Sequence, residues 1–174
     1  MKFNLILLII FLFSSIIVTT QTHNDFSEDF SGLWKRAVKY TIELAEAMPE
    51  ENYGFKPTEI QMTFGEQLIH ISKNLYWLCS EYIIDEDNPT SNFDEEIHSK
   101  KEIIRFLKSS FNYVSDTIEK FDEIRLKDTV NFAELKINKE RIFYLMRDHM
   151  THHRGQLVVY LRLNKIEPPR YRGW

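Results

Sequence analysis

From Phe26 to Met48, apolar side chains fall mostly three or four positions apart: Phe30, Leu33, Trp34, Ala37, Val38, Leu44, Ala45 and Met48. That period marks a helix with one buried face. Pro49, Gly54 and Pro57 end it. A second helix is predicted to open at Thr63, with Glu66 three residues on in capping-box register. Its apolar stripe is Phe64, Leu68, Ile71, Leu75 and Leu78. Asp85 to Asn92, with Pro89 inside, reads as a loop. A third helix is predicted from about Glu95 to Phe121, through Ile103, Ile104, Leu107, Phe111, Val114 and Ile118. Asp122 to Ile137 reads as an irregular connector with a short strand or turn around Val130-Asn131-Phe132. The fourth helix starts at an Asn138 N-cap and runs to about Asn164, before Pro168 and Pro169. Four such helices predict an all-α fold, a four-helix bundle. The connection between the second and third is long enough to span the bundle, so period alone leaves the up or down order open.

Residues 3–18 are different: an apolar run broken only by Asn4, Ser14 and Ser15, behind the short positive start of Met1 and Lys2. This reads as a signal peptide over residues 1–20, with the bundle over residues 26–170. No Ala-x-Ala precedes a cleavage point, so an uncleaved membrane anchor is the alternative, and only that form would contact a membrane. No cysteine follows the run, which excludes a lipoprotein anchor. Either way the expected location is exported, periplasmic or secreted.

A length of 174 residues is one domain's worth, and 13 Phe, 8 Tyr and 3 Trp give it core bulk. Only 5 Gly and 5 Pro argue against an all-β or disordered chain. A net charge of −4 without a basic run argues against a nucleic-acid partner. The single cysteine, Cys79, excludes an internal disulfide and a Cys-rich zinc module, and it reads as a small core residue. Trp34, Tyr40, Tyr76 and Trp77 read as core or dimer interface.

The chemistry lies in the histidines. His23 and His98 read as solvated. His149 and His153 do not, because they fall inside the apolar stripe Ile142, Met146, Leu157, Tyr160. Their i, i+4 spacing stacks both rings on one face. Imidazoles on a buried face are costly unless their ring nitrogens are satisfied, and this is the spacing by which one helix offers two nitrogens to one metal. Met150 stands where a zinc peptidase helix would carry glutamate. His70, on the second helix with Gln67, Asn74 and Trp77 on its side, can complete a three-nitrogen set if helices two and four are neighbours. Three imidazoles leave a divalent ion an open coordination position, as in catalytic sites.

Phe64-Gly65-Glu66-Gln67-Leu68-Ile69-His70-Ile71 resembles the first-histidine motif of the DinB-like metalloenzyme superfamily, and Asp148-His149-Met150-Thr151-His152-His153-Arg154-Gly155-Gln156-Leu157 resembles its H-x-x-H-H-R-G-Q motif. Asn52 to Thr58 and the tail from Tyr160 to Pro169 also look like that family. The resemblance implies an up-down-down-up four-helix bundle, often a homodimer, with a divalent metal on His70, His149 and His153. The metal would be Zn, Ni, Fe or Mn. His152 lies about 80° off the direction of the pair, so a neighbouring hydrogen bond or an interface role is expected for it; Arg154 points away from the histidine stripe, so an ion pair or helix contact is expected.

Relatives include thiol-dependent transferases, whose thiols are cytosolic; an export signal departs from that pattern. The expected function is a divalent-metal-dependent enzyme, hydrolase-like or a thiol or group transferase, acting on a small molecule. The alternative is a non-catalytic metal-binding or structural bundle. Glu66, Glu81, Asp148 and Tyr144 are all available as a general base, and the sequence does not choose among them.

Overall fold

Two capping boxes set the helices that build the molecule. The computed structural model describes residues 26–90 and 99–173; the expected signal segment, His23 and His98 lie outside them. Thr63 N–H donates to Glu66 Oε2 while the Thr63 hydroxyl accepts from Glu66 N–H, which opens α2 (Phe64–Leu78). Ser99 and Glu102 close the same box ahead of α3 (Lys100–Lys120). That corrects the expected start near Glu95: Ser99 is extended, so the helix begins after it. α1 covers Phe26–Ala47 and α4 covers Lys139–Leu163, the latter capped by the Asn138 side chain accepting from Arg141 N–H. α4 ends in a Schellman motif: Lys165 takes a φ of 61°, Ile166 N–H bonds the Leu161 carbonyl and Lys165 N–H bonds that of Arg162.

The fold is helical but not purely so. Thr129–Phe132 (β1) and Leu135–Asn138 (β2) pair antiparallel, Phe132 opposite Leu135, around an Ala133-Glu134 turn. Ala133 takes a φ of 52°, the geometry such a two-residue turn imposes on its first position. Short 3-10 turns cover Glu50–Asn52 and Glu123–Lys127. α2 continues into a wider π-helical turn, Cys79–Ile84, inside the span expected to be ordinary helix. Lys139 explains how that turn ends: its buried ammonium donates to the Ile83 carbonyl at 2.6 Å, and burial lowers its pKa.

Side-chain pairs fix the helix directions. Trp34 Nε1 donates to Ser115 and Lys100 Nζ to the Met48 carbonyl, so α1 and α3 run antiparallel. Gly65 approaches Ile103 while Tyr76 bonds Ser109 and Cys79 bonds Thr117, so α2 and α3 run parallel. A Cβ at Gly65 would stand 3.1 Å from Ile103 Cδ1, a tight contact that glycine avoids. Gln67 meets Gln156 and His70 meets His149, so α2 and α4 are antiparallel. Phe30 meets Phe143 while Arg154 reaches the Ala37 carbonyl, so α1 and α4 are parallel. With α1 up, α2 and α3 run down and α4 up. The core between them holds Trp34, Leu44, Phe64, Leu68, Phe111, Phe143 and Met146. Cys79 belongs to it, with its thiol pushed up to about 11 by burial, so it is inert. No helix of the described residues is long and apolar enough to cross a membrane.

Candidate metal centre

His70 comes from the middle of α2, and His149 and His153 from one face of α4. Because these helices are antiparallel neighbours, the three rings meet. His70 Nε2 and His153 Nε2 each stand 3.2 Å from His149 Nε2, and ring centroids are 4.5–5.0 Å apart. The nitrogen atoms one ion would use all lie within 4.8 Å of one another. Nitrogens held about 2.0–2.1 Å from a tetrahedral ion stand about 3.3 Å apart, which matches the two close contacts. One proton on His149 Nε2 can satisfy only one of its two neighbours. The cluster is therefore short of donors in itself, as a cation site is. A second open acceptor sits on the same face of α2, where Asn74 Oδ1, one turn from His70, is buried without a hydrogen-bond partner among the described residues.

Gln67, one turn before His70, fixes the orientation of His153. It is almost fully buried, and its Oε1 accepts from His153 Nδ1–H. That bond commits the proton to Nδ1 and leaves Nε2 with a lone pair toward the cluster. The Gln67 amide is held in turn, because its Nε2 donates to Gln156 Oε1 at 2.8 Å and Gln156 Nε2 donates to His152 Nε2 at 3.0 Å. His152 thus has the hydrogen-bond role its angle predicted. Gln67 falls on the expected side of α2, but its role as an acceptor for His153 was not expected; the available signal is a polar residue i, i+3 from His70 on a buried face. A Gln67→Leu variant keeps the bulk and removes the acceptor, so its divalent-metal affinity is expected to fall about 10–100-fold. Titration against a competing chelator measures this, and Gln67→Glu is expected to recover most of the loss.

Burial, with repulsion from the neighbouring rings, brings the His149 and His153 pKa values down to about 4, and burial lowers His70 as well. All three are neutral at pH 7, with lone pairs free to ligate. In the metal-free protein this links stability to pH. The unfolded chain protonates such rings near 6.5 and the folded chain near 4, so the unfolded state binds more protons between those values. Metal-free stability is therefore expected in full above about pH 6.5 and to fall as pH drops toward 4. Urea midpoints in chelator at about pH 7 and about pH 5 measure it; a higher midpoint at the lower pH would contradict it.

Three of the four candidate bases have their carboxylates committed, and the fourth is held by its ring. Glu66 serves the Thr63 cap, Glu81 accepts from Trp77 Nε1, Asp148 pairs with Arg147 at 3.1 Å, and Tyr144 packs edge-on against Phe26 and Phe30. Arg154 makes a helix contact: buried, it lies over the Tyr40 ring and donates to the Ala37 carbonyl and the Thr151 hydroxyl. Trp34, Tyr40 and Tyr76 are core residues. Trp77 is half-buried in a cluster with Tyr82 and Phe132 of β1.

A sequence model of the DinB family matches residues 21–171. The uncharacterised protein YjoA of Bacillus subtilis is 27% identical over 137 residues, covering 75% of this chain and 86% of that protein. The crystal structure of a DinB-like protein, YjoA, from Bacillus subtilis superposes with a TM-score of 0.71 at 23% identity, covering 84% of this chain and 99% of that one. A DinB-like protein from Bacillus cereus superposes at 0.73 with 18% identity, covering 83% and 96%.

Proposed function

The chain belongs to the DinB family, and from that premise we propose that it is a divalent-metal-dependent enzyme, a hydrolase or group transferase acting on a small molecule, with His70, His149 and His153 as the metal ligands. The observation that carries this reading is the convergence of three neutral imidazoles from two helices, 3.2 Å from ring to ring at His149. A divalent ion there would supply Lewis acidity at its open position. His70, His149 and His153 would hold it, and Gln67 would keep the His153 lone pair aimed inward. Half-burial of His70 and His149 leaves a route from solvent to the cluster. Zn, Ni, Fe and Mn all suit imidazole donors, and availability decides among them. The export reading of residues 1–20 belongs to the same proposal; the family match begins at residue 21, directly after that segment.

One observation favours a second reading, a metal-holding bundle without turnover: the carboxylates of Glu66, Glu81 and Asp148 are each engaged elsewhere. The metal-loaded protein, screened for ester, amide and phosphoester hydrolysis and for thiol transfer, separates the two. Turnover that disappears with chelator and in a His153→Ala variant is the expected result. Full metal loading with no turnover across the panel would favour the second reading.

A further inference from the structure

A groove between α1 and the C-terminal tail is lined by Lys35, Arg36, Lys39, Arg170, Tyr171 and Arg172, with a volume of about 480 Å³. Five of its six walls are cationic, in a chain whose net charge is −4. Arg172 is neutralised by two hydrogen bonds of 2.8 Å to the Glu43 carboxylate, whose charge also acts on Lys39 without an ion pair. Among the described residues, no carboxylate pairs with Lys35, Arg36, Lys39 or Arg170. Lys39 lies one helical turn from both Lys35 and Arg36, so the three charges share one face of α1. The Arg36 side chain folds back toward Gly32, where a Cβ would stand 3.6 Å from Nη1. Its Nε is buried with no hydrogen-bond partner among the described residues. A buried charged donor without an acceptor is costly, and like charges collected in one groove repel. The repulsion among these cations is relieved by an anion in the groove.

We propose that this groove binds a phosphate-class anion. Two guanidinium forks and two ammonium groups offer more donors than one carboxylate can use, and they suit the three acceptor oxygens of a phosphomonoester. The site is separate from the histidine cluster. The groove lies on the α1 side, whereas the three imidazoles lie between α2 and α4. The same chemistry is carried by a soluble phosphate and by an anionic lipid headgroup, and the experiment distinguishes them.

Inorganic phosphate is titrated calorimetrically into the full chain, once metal-loaded and once in chelator. Saturable one-site binding is expected in both. Arg36→Gln removes charge-assisted donors and is expected to weaken binding at least about tenfold. Lys39→Gln, at an exposed position, is expected to weaken binding without touching the fold. His149→Ala is expected to leave it unchanged. In a second arm, vesicles of phosphatidylcholine with and without phosphatidic acid are sedimented with the protein. Co-sedimentation only with phosphatidic acid, lost in Arg36→Gln, assigns a headgroup; phosphate binding without co-sedimentation assigns a soluble ligand. Absence of binding in both arms, insensitivity to both groove substitutions, or loss in chelator or in His149→Ala would each overturn the proposal.

Discussion

Replacing His149 with alanine is expected to abolish stoichiometric metal binding while leaving the fold intact. His149 is the middle ring, and its Nε2 is the one 3.2 Å from both other Nε2 atoms. Removing a residue that merely orients a ligand costs about 10–100-fold in affinity, so removing a ligand costs at least about 100-fold. Binding that is selective for the folded state stabilises it by about 2.7 kcal/mol at a hundredfold excess over Kd. For a chain of this size that raises Tm by about 5–10 °C. The wild-type protein is therefore expected to show this rise on adding metal, and His149→Ala none. The metal-free state should respond in the opposite sense. There, His149 is a half-buried imidazole whose burial penalises its charged form and whose Nε2 has more contacts than protons. Alanine removes that frustration, so metal-free His149→Ala is expected to match or exceed wild-type stability. Calorimetry with and without metal reads both effects, and equal metal-induced shifts in the two proteins would contradict the ligand assignment.

Phe143→Ala is expected to give the reverse pattern. Phe143 has no exposed surface, and its ring centroid lies 5.5 Å from those of Phe26 and Phe30 and 5.3 Å from that of Phe121. It joins α4 to α1 and to the segment leaving α3. Truncating such a ring costs about 3–5 kcal/mol, a large share of the roughly 5–15 kcal/mol that holds a domain together. Tm should fall by about 6–20 °C. Phe143 precedes His149 by less than two helical turns, about 9 Å along α4, and touches none of the three imidazoles. Well below Tm, one metal per chain is therefore still expected. Calorimetry and metal analysis of the variant test this pair of outcomes; loss of metal in folded Phe143→Ala would mean that the cluster depends on the α1–α4 contact.

Local signals predicted local features well. Thr63 and Glu66, and Asn138 with its following turn, were readable because a cap needs only residues within one helical turn. The His149 and His153 face was readable for the same reason. Ser99 and Glu102 carry an equally legible box, four residues past the expected start near Glu95. The π-helical turn at Cys79–Ile84 was not readable, because its apolar residues fit an ordinary helix and its end depends on Lys139, far along the chain. Of the hairpin, a short strand or turn at Val130–Phe132 was legible and is β1, whereas its partner β2 was not. The meeting of His70 with the α4 pair was conditional on helix adjacency, which period cannot supply and the resemblance did. Gln67 illustrates the remaining gap. Its burial follows from its face of α2, but its function as an acceptor for His153 exists only once α4 is beside it.

The most direct test is a crystal structure of the metal-loaded protein with anomalous data collected at the metal edge. One ion is expected, with His70 Nε2, His149 Nε2 and His153 Nε2 each about 2.0–2.1 Å away if it is zinc, and with the Gln67 carbonyl oxygen still on His153 Nδ1. An ion bound elsewhere, or one that leaves any of these three rings uncoordinated, would contradict the account.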